Sequence, residues 1–241
     1  MLNNEAIKDI CKQLKIAYID DLIETSTTKQ KEYIYEVLNA EIEGRKRAKL
    51  SKLLKTSNIP QIKTFEGYKF DEIIFPSTCN KERLISLEWI KNKENIVLMG
   101  NVGTGKTHMA TALSIEACRK GLNVQFFRVS ELVETLVYKY NQGNIRQFRN
   151  RLKKNELLIL DEVGYVPFDK IGSELLFNVI SECYEKQSII VTTNLEFGQW
   201  SSVFGDTKLT AALIDRLVHH ASIVSFPGES NRLAQALTNQ K

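Results

Sequence analysis

The chain has 241 residues, is 43% hydrophobic and 26% charged, and carries only 4 prolines and a formal net charge of +4. This balance excludes a disordered or fibrous chain and leaves room for one large core or a core with a small appendage. Four scattered cysteines (Cys11, Cys79, Cys118, Cys183) form no C-x-x-C pair, no apolar run nears the ~20 residues of a membrane span, and the start of the chain lacks a basic-then-apolar leader, so the expectation is a cytoplasmic protein with reduced thiols and no membrane partner.

Residues 1–58 read as a helical domain. Leu2, Ala6, Ile10, Leu14 and Ala17 recur at helical spacing, then Ala17, Ile19, Leu22 and Ile23. A long third helix is predicted to begin after Ser26-Thr27-Thr28, with Thr27 and Gln30 as a capping box and Ile34, Val37, Leu38 and Ile42 as its apolar positions. Glu41 with Arg45 and Glu43 with Arg47 are spaced as i,i+4 ion pairs. Beyond Glu43 the helix turns cationic, with Arg45, Lys46, Arg47, Lys49, Lys52 and Lys55, until Asn58-Ile59-Pro60 stops it.

From residue 59 to 241 the pattern alternates. A helix is expected over 81–92, a strand over 95–99, a helix over 106–120 stopped by Gly121, a strand over 124–127, a helix capped by Ser130, and a short helix over 144–154. A strand at Leu157-Leu158-Ile159-Leu160, a helix near 171–186, a strand over 189–193, a helix over 207–219 and a strand at 223–225 complete it. Strands alternating with helices imply an α/β fold, a parallel sheet sandwiched by helices, with ligands at the carboxyl ends of its strands.

Residues 100–107, Gly-Asn-Val-Gly-Thr-Gly-Lys-Thr, satisfy G-x-x-x-x-G-K-[ST] between a strand and a helix, the context of a phosphate-binding loop. Gly100, Gly103 and Gly105 let the backbone close on a polyphosphate. The N–H groups of Asn101, Val102 and Thr104, with the positive end of the next helix, face the anion. Lys106 brings charge to the β/γ-phosphates, and Thr107 an oxygen ligand for Mg²⁺. His108 reads as first-turn structure beside the loop. ATP and Mg²⁺ are the expected cofactors. The segment from Lys63 to Phe70 is where an adenine pocket would lie.

The strand ending in Asp161-Glu162 places two carboxylates after four apolar residues, a costly arrangement unless they serve a metal or water. Asp161 would hold Mg²⁺ with Thr107, and Glu162 would take a proton from, or orient, the attacking water. The competing reading is a solvated acidic turn. Asn194, closing the next strand, can serve the γ-phosphate or the water, or else cap a turn.

These motifs resemble the AAA+ ATPases. Leu157 to Tyr165, Trp200, Val203-Phe204-Gly205-Asp206 and Leu209 to Ala221 (with Asp215-Arg216-Leu217-Val218-His219-His220) narrow the resemblance to the IstB-like transposition ATPases, with the DnaC-type helicase loaders as relatives that share less of the last block. The resemblance implies an AAA+ P-loop core with a small helical N-terminal DNA-binding and assembly domain and a reduced C-terminal lid. It implies Asn194 as first sensor, Arg216 as an arginine finger toward a neighbouring copy, and Arg232 as second sensor. For Arg216 the alternative is a helix-surface salt bridge with a nearby acid, and for His219 and His220 packing is favoured over ligation. Two departures stand out: Asn231 replaces an aromatic before Arg232, and Cys183 replaces an arginine before Tyr184-Glu185.

Two cationic stretches, 45–55 and the set Arg146, Arg149, Arg151, Lys153 and Lys154, are the DNA-contact expectations, against the reading of solvated helix faces. Without interleaved aromatics they suit the duplex backbone better than stacked single strands. The resemblance implies a homo-oligomer that assembles on duplex DNA with ATP and has a cognate transposase as partner. A helicase loader is the second reading. A small-molecule kinase is the third, disfavoured because an Asp-Glu pair followed by a polar strand suits water as acceptor.

Overall fold

The computed structural model describes residues 4–230. Leu2, Asn231 and Arg232 lie outside the described residues. The chain divides into two compact units, Met1–Lys52 and Leu53–Lys241, with the division falling inside a helix.

In the first unit, α1 (Asn4–Leu14) and α2 (Asp20–Thr25) lead into α3 (Thr28–Thr56). Ile7, Cys11 and Ile23 are buried with Ile34, Tyr35 and Leu38 against them, and Ile10, Leu14 and Ile42 form a second small cluster. The first helix is shorter than its apolar spacing predicts. Lys15 turns left-handed at φ 59°, so Ala17 falls in the turn. The capping box at α3 forms, with Thr27 N–H donating to Gln30 Oε1 at 2.8 Å and Gln30 N–H to Thr27 Oγ1 at 3.4 Å. Arg45 pairs with Glu41 as expected, but Glu43 takes Lys46 at 2.8 Å in place of Arg47.

The second unit is a five-stranded parallel sheet: β1 (Asn95–Gly100), β2 (Val124–Arg128), β3 (Leu157–Val163), β4 (Ser188–Thr193) and β5 (Ala221–Phe226), in the order β2-β3-β4-β1-β5. β1, β3 and β4 carry buried residues at consecutive positions because helices cover both faces. The helices are α4 (Lys81–Ser86), α5 (Glu88–Lys91), α6 (Lys106–Arg119), α7 (Val129–Asn141), α8 (Ile145–Leu152), α9 (Lys170–Cys183), α10 (Ser201–Phe204) and α11 (Thr207–Val218). No helix among the described residues is long and apolar enough to cross a membrane.

Local chemistry explains where the expected elements shift. The helix expected over 81–92 breaks at Leu87, whose φ of 60° closes α4 and whose side chain is buried. Ser130 is not a cap: α7 starts at Val129 directly off β2, with Arg128 in the cap position. β3 runs three residues past its apolar core. A 3₁₀ turn at Phe197–Gln199 and α10 were not expected; they bury Trp200, Val203 and Phe204. The Phe-Gly-Asp step is helix punctuation. Gly205, at φ 69°, ends α10, and the Asp206 side chain accepts from Leu209 N–H at 2.9 Å to start α11.

Candidate active site

The sheet order puts β4 between β1 and β3, so the phosphate-loop strand and the Asp-Glu strand flank a strand that ends in Thr192-Thr193, with Asn194 next in the chain. In the loop, Gly103 and Gly105 have φ of 83° and 101°, angles that side chains resist. A Cβ on Gly100 would strike the Phe226 carbonyl, and one on Gly103 would strike Ser230. The segment after β5 therefore lies directly on the loop. Lys106 is 9% exposed and its Nζ donates to the Gly100 and Asn101 carbonyls, both at 2.6 Å, so the ammonium sits inside the loop's curve.

Thr107 and Asp161 meet as the sequence predicted: Thr107 Oγ1 donates to Asp161 Oδ1 at 2.9 Å. Thr192, which sequence reasoning missed, donates to the same oxygen at 2.6 Å and accepts Glu162 N–H at 2.9 Å. The signal available for it was a polar residue at the end of an otherwise apolar strand. Burial raises the Asp161 carboxyl above its usual range, against the Thr192 and Thr107 hydrogen bonds and the charges of Arg128 and Lys106. A buried carboxylate with neutral hydroxyls as its hydrogen-bond donors is a hard oxygen donor set, and it fits Mg²⁺.

The raised carboxyl couples stability to pH. The folded state holds the Asp161 proton to higher pH than the unfolded chain, so this group's contribution to stability without ligand is fully present below the unfolded carboxylate pKa and is lost as pH rises through the raised folded value. Asp161→Asn should therefore melt higher than the unsubstituted protein at pH 7 in EDTA, with the advantage vanishing in acid, while losing Mg²⁺-dependent nucleotide binding. Thermal melts across pH check it, and a lower melting point at pH 7 would contradict it.

Glu162 sits at a register shift between β3 and β4 with φ 63°, a left-handed geometry uncommon for a non-glycine residue. Asp161 stays buried while the Glu162 side chain is 39% exposed. Arg128, a second residue the sequence reading missed, closes β2 beside Asp161 in register, with Nε 3.8 Å from Glu162 Oε2. Asn194 Oδ1 is buried and has no hydrogen-bond partner among the described residues, leaving an acceptor at the strand ends.

The expected adenine segment lies beside the loop. Tyr68 OH donates to the Gly105 carbonyl at 3.2 Å, packs edge-on to Phe70 and His108, and is raised in pKa by burial. His108 does more than begin a helix: its Nε2 is 2.7 Å from the Thr64 carbonyl, which ties the segment to α6.

Other expected residues lie elsewhere. Arg216, in the last turn of α11, has no acidic partner among the described residues; its Nη1 donates to the Ala212 carbonyl at 3.0 Å and its guanidinium stacks 4.8 Å from the Phe177 ring centre. Of the second cationic stretch, Arg149 and Lys153 both turn to Glu182, Lys153 at 3.3 Å. Against burial, the two cations hold the Glu182 carboxyl below its usual range. Arg146, Arg151 and Lys154 are exposed, as are all six cations from Arg45 to Lys55.

The family described as IstB-like ATP-binding protein matches the chain over residues 15–239. An insertion sequence IS21 ATP-binding protein from Pseudomonas aeruginosa is 34% identical over 90% of this chain and 83% of its own length. One from insertion sequence IS232 of Bacillus thuringiensis subsp. berliner is 33% identical over 90% and 88%. Among solved structures, the DnaI superposes with a TM-score of 0.56 at 17% identity, over 70% of this chain and 90% of that one. A DNA replication initiation factor gives 0.56 at 22%, over 75% of this chain and 54% of its own. At these identities the structural likenesses speak for the fold.

Proposed function

We propose that this chain, which belongs to the IstB-like ATP-binding protein family, is a Mg²⁺-dependent ATPase that assembles on duplex DNA and assists an insertion-sequence transposase. The observation that carries the ATPase reading is the Thr107–Asp161–Thr192 hydrogen-bond cluster beside Glu162, one strand from the phosphate loop. The insertion-sequence origin of relatives at 33–34% identity supports the transposase over a replicative helicase as partner.

Loop amides and Lys106 hold the phosphates, while Thr107 and Asp161 would hold the metal. Mg²⁺, when bound, supplies charge neutralisation at the β- and γ-phosphate oxygens. Glu162 takes the proton of the attacking water, and Asn194 Oδ1 accepts a hydrogen bond from that water and orients it. Arg232 is proposed as second sensor. Glu162→Gln should bind ATP normally, lose about 10²- to 10⁴-fold in turnover, and stay on duplex DNA longer than the unsubstituted protein. Dissociation from labelled duplex after dilution tests this; equal rates would mean that hydrolysis is not the release step.

Each cationic patch is proposed to contact the phosphate backbone. On α3, Arg45, Lys49 and Lys52 recur at i, i+4 and i+7, one stripe of an exposed helix. Arg146, Arg151 and Lys154 on and after α8 are the second patch; Arg149 and Lys153 contribute there only by leaving Glu182. Replacing Lys49, Lys52 and Lys55 with glutamine should flatten the salt dependence of duplex binding by about 0.9 in log–log slope for each DNA phosphate no longer neutralised. An unchanged slope would move the DNA surface elsewhere.

A further inference from the structure

We propose that Glu185, His219 and His220 form a binding site for a transition-metal dication, Zn²⁺ being the best match, at the edge of the sheet opposite the phosphate loop. Each residue offers one ligand atom, and the three lie within 4.8 Å of one another. His220 Nε2 is 3.7 Å from Glu185 Oε1, and the two imidazole centres are 4.1 Å apart. Tetrahedral zinc, with bonds of about 2.1 Å, wants ligand atoms about 3.4 Å apart. Side-chain rotation of exposed groups supplies the remaining closure.

Three features set the cluster apart from a chance meeting of surface side chains. First, His219 Nδ1 is 2.7 Å from Tyr184 OH. In the tautomer that donates Nδ1–H to the tyrosyl oxygen, Nε2 carries the lone pair a metal takes, the outer hydrogen bond that metal-binding imidazoles use. Second, both supporting turns are clamped. The His220 carbonyl accepts Asn95 N–H at 2.8 Å, and Asn95 Nδ2 donates to the Leu217 carbonyl at 3.0 Å. On the other turn the Cys183 carbonyl accepts both Lys186 and Gln187 N–H at 2.9 Å, and the Gln187 side chain reaches the Leu152 carbonyl. Third, Glu185 follows directly on Tyr184 in the turn that ends α9, at φ 56°, so the residue that bonds His219 and the carboxylate that faces His220 share one short segment. Two imidazoles and one carboxylate suit zinc and leave a position for water, whereas Mg²⁺ prefers an all-oxygen octahedron.

The chain has only three histidines, so untagged, chelator-treated full-length protein gives a clean test. Zn²⁺ is titrated calorimetrically in millimolar Mg²⁺. The unsubstituted protein should bind one equivalent. His219→Ala and His220→Ala should abolish binding, Glu185→Gln should weaken it, and Tyr184→Phe should weaken it about 10- to 100-fold. Circular dichroism and melting curves confirm that these surface variants fold. Failure of the unsubstituted protein to bind, or equal binding by the His219→Ala/His220→Ala double variant, overturns the proposal. Neither outcome bears on nucleotide binding, so the ATPase reading stands or falls separately.

Discussion

Lys106→Ala is expected to abolish ATP binding. Its ammonium lies in the curve of the loop on two carbonyls at 2.6 Å, where an incoming triphosphate would exchange those neutral partners for charged oxygens. Charge-assisted hydrogen bonds are worth about 1.5–3 kcal/mol each, so removing two costs roughly 10²- to 10⁴-fold in affinity. The alanine also removes the tie between the loop's carbonyls. Lys106→Met, which keeps much of the stem, separates loss of charge from loss of loop shape. Both variants should fail to bind a non-hydrolysable ATP analogue by calorimetry while melting as cooperatively as the parent. Affinity within ten-fold of the parent for either variant would overturn the phosphate-loop reading.

The site was legible where its chemistry is local in sequence. Gly100 to Thr107 declare the loop because glycines, lysine and threonine act within eight residues, and the apolar run before Asp161 declares a strand buried on both faces. What stayed hidden depends on strands meeting across the sheet. Thr192 looks like an ordinary β-branched strand residue until β4 is placed between β1 and β3, and Arg128 falls in the connection between the expected strand 124–127 and the helix capped by Ser130 until β2 is registered against Asp161. Backbone exceptions were also invisible. Nothing in the composition of residues 81–92 announces a left-handed Leu87, and nothing in Asp-Glu announces the register shift and left-handed backbone at Glu162. The cationic stretches were legible as charge but not as availability, because the acid that engages Arg149 and Lys153 comes from another helix. His219 and His220 read as packing for the same reason: Tyr184 and Glu185 reach them from a turn more than thirty residues away.

Arg216→Ala is expected to leave ATP binding intact and to lower turnover by about 10³- to 10⁵-fold, the range of an arginine finger. Topology makes this a statement about assembly. The helix carrying Arg216 delivers the chain to Ala221, which registers with Asn95 at the entry of β1, whereas the phosphate loop begins at Gly100, the exit. Five residues of strand separate the two edges by about 16 Å, farther than an arginine side chain extends, and Arg216 folds back on Ala212 and Phe177 of its own copy. If Arg216 stabilises transition-state charge, it does so on a nucleotide held by another copy, through a head-to-tail contact that repeats around a ring or along a filament. Arg216→Ala keeps Glu162, and Glu162→Gln keeps Arg216, so each alone should be inactive. A mixture should regain activity at interfaces where an Arg216→Ala site meets a Glu162→Gln neighbour. With random equal mixing of head-to-tail contacts, about a quarter of the sites are complete, and turnover should pass through a maximum near that ratio. Silence at every ratio, or an Arg216→Ala protein as fast as its parent, would return Arg216 to the surface of its own helix.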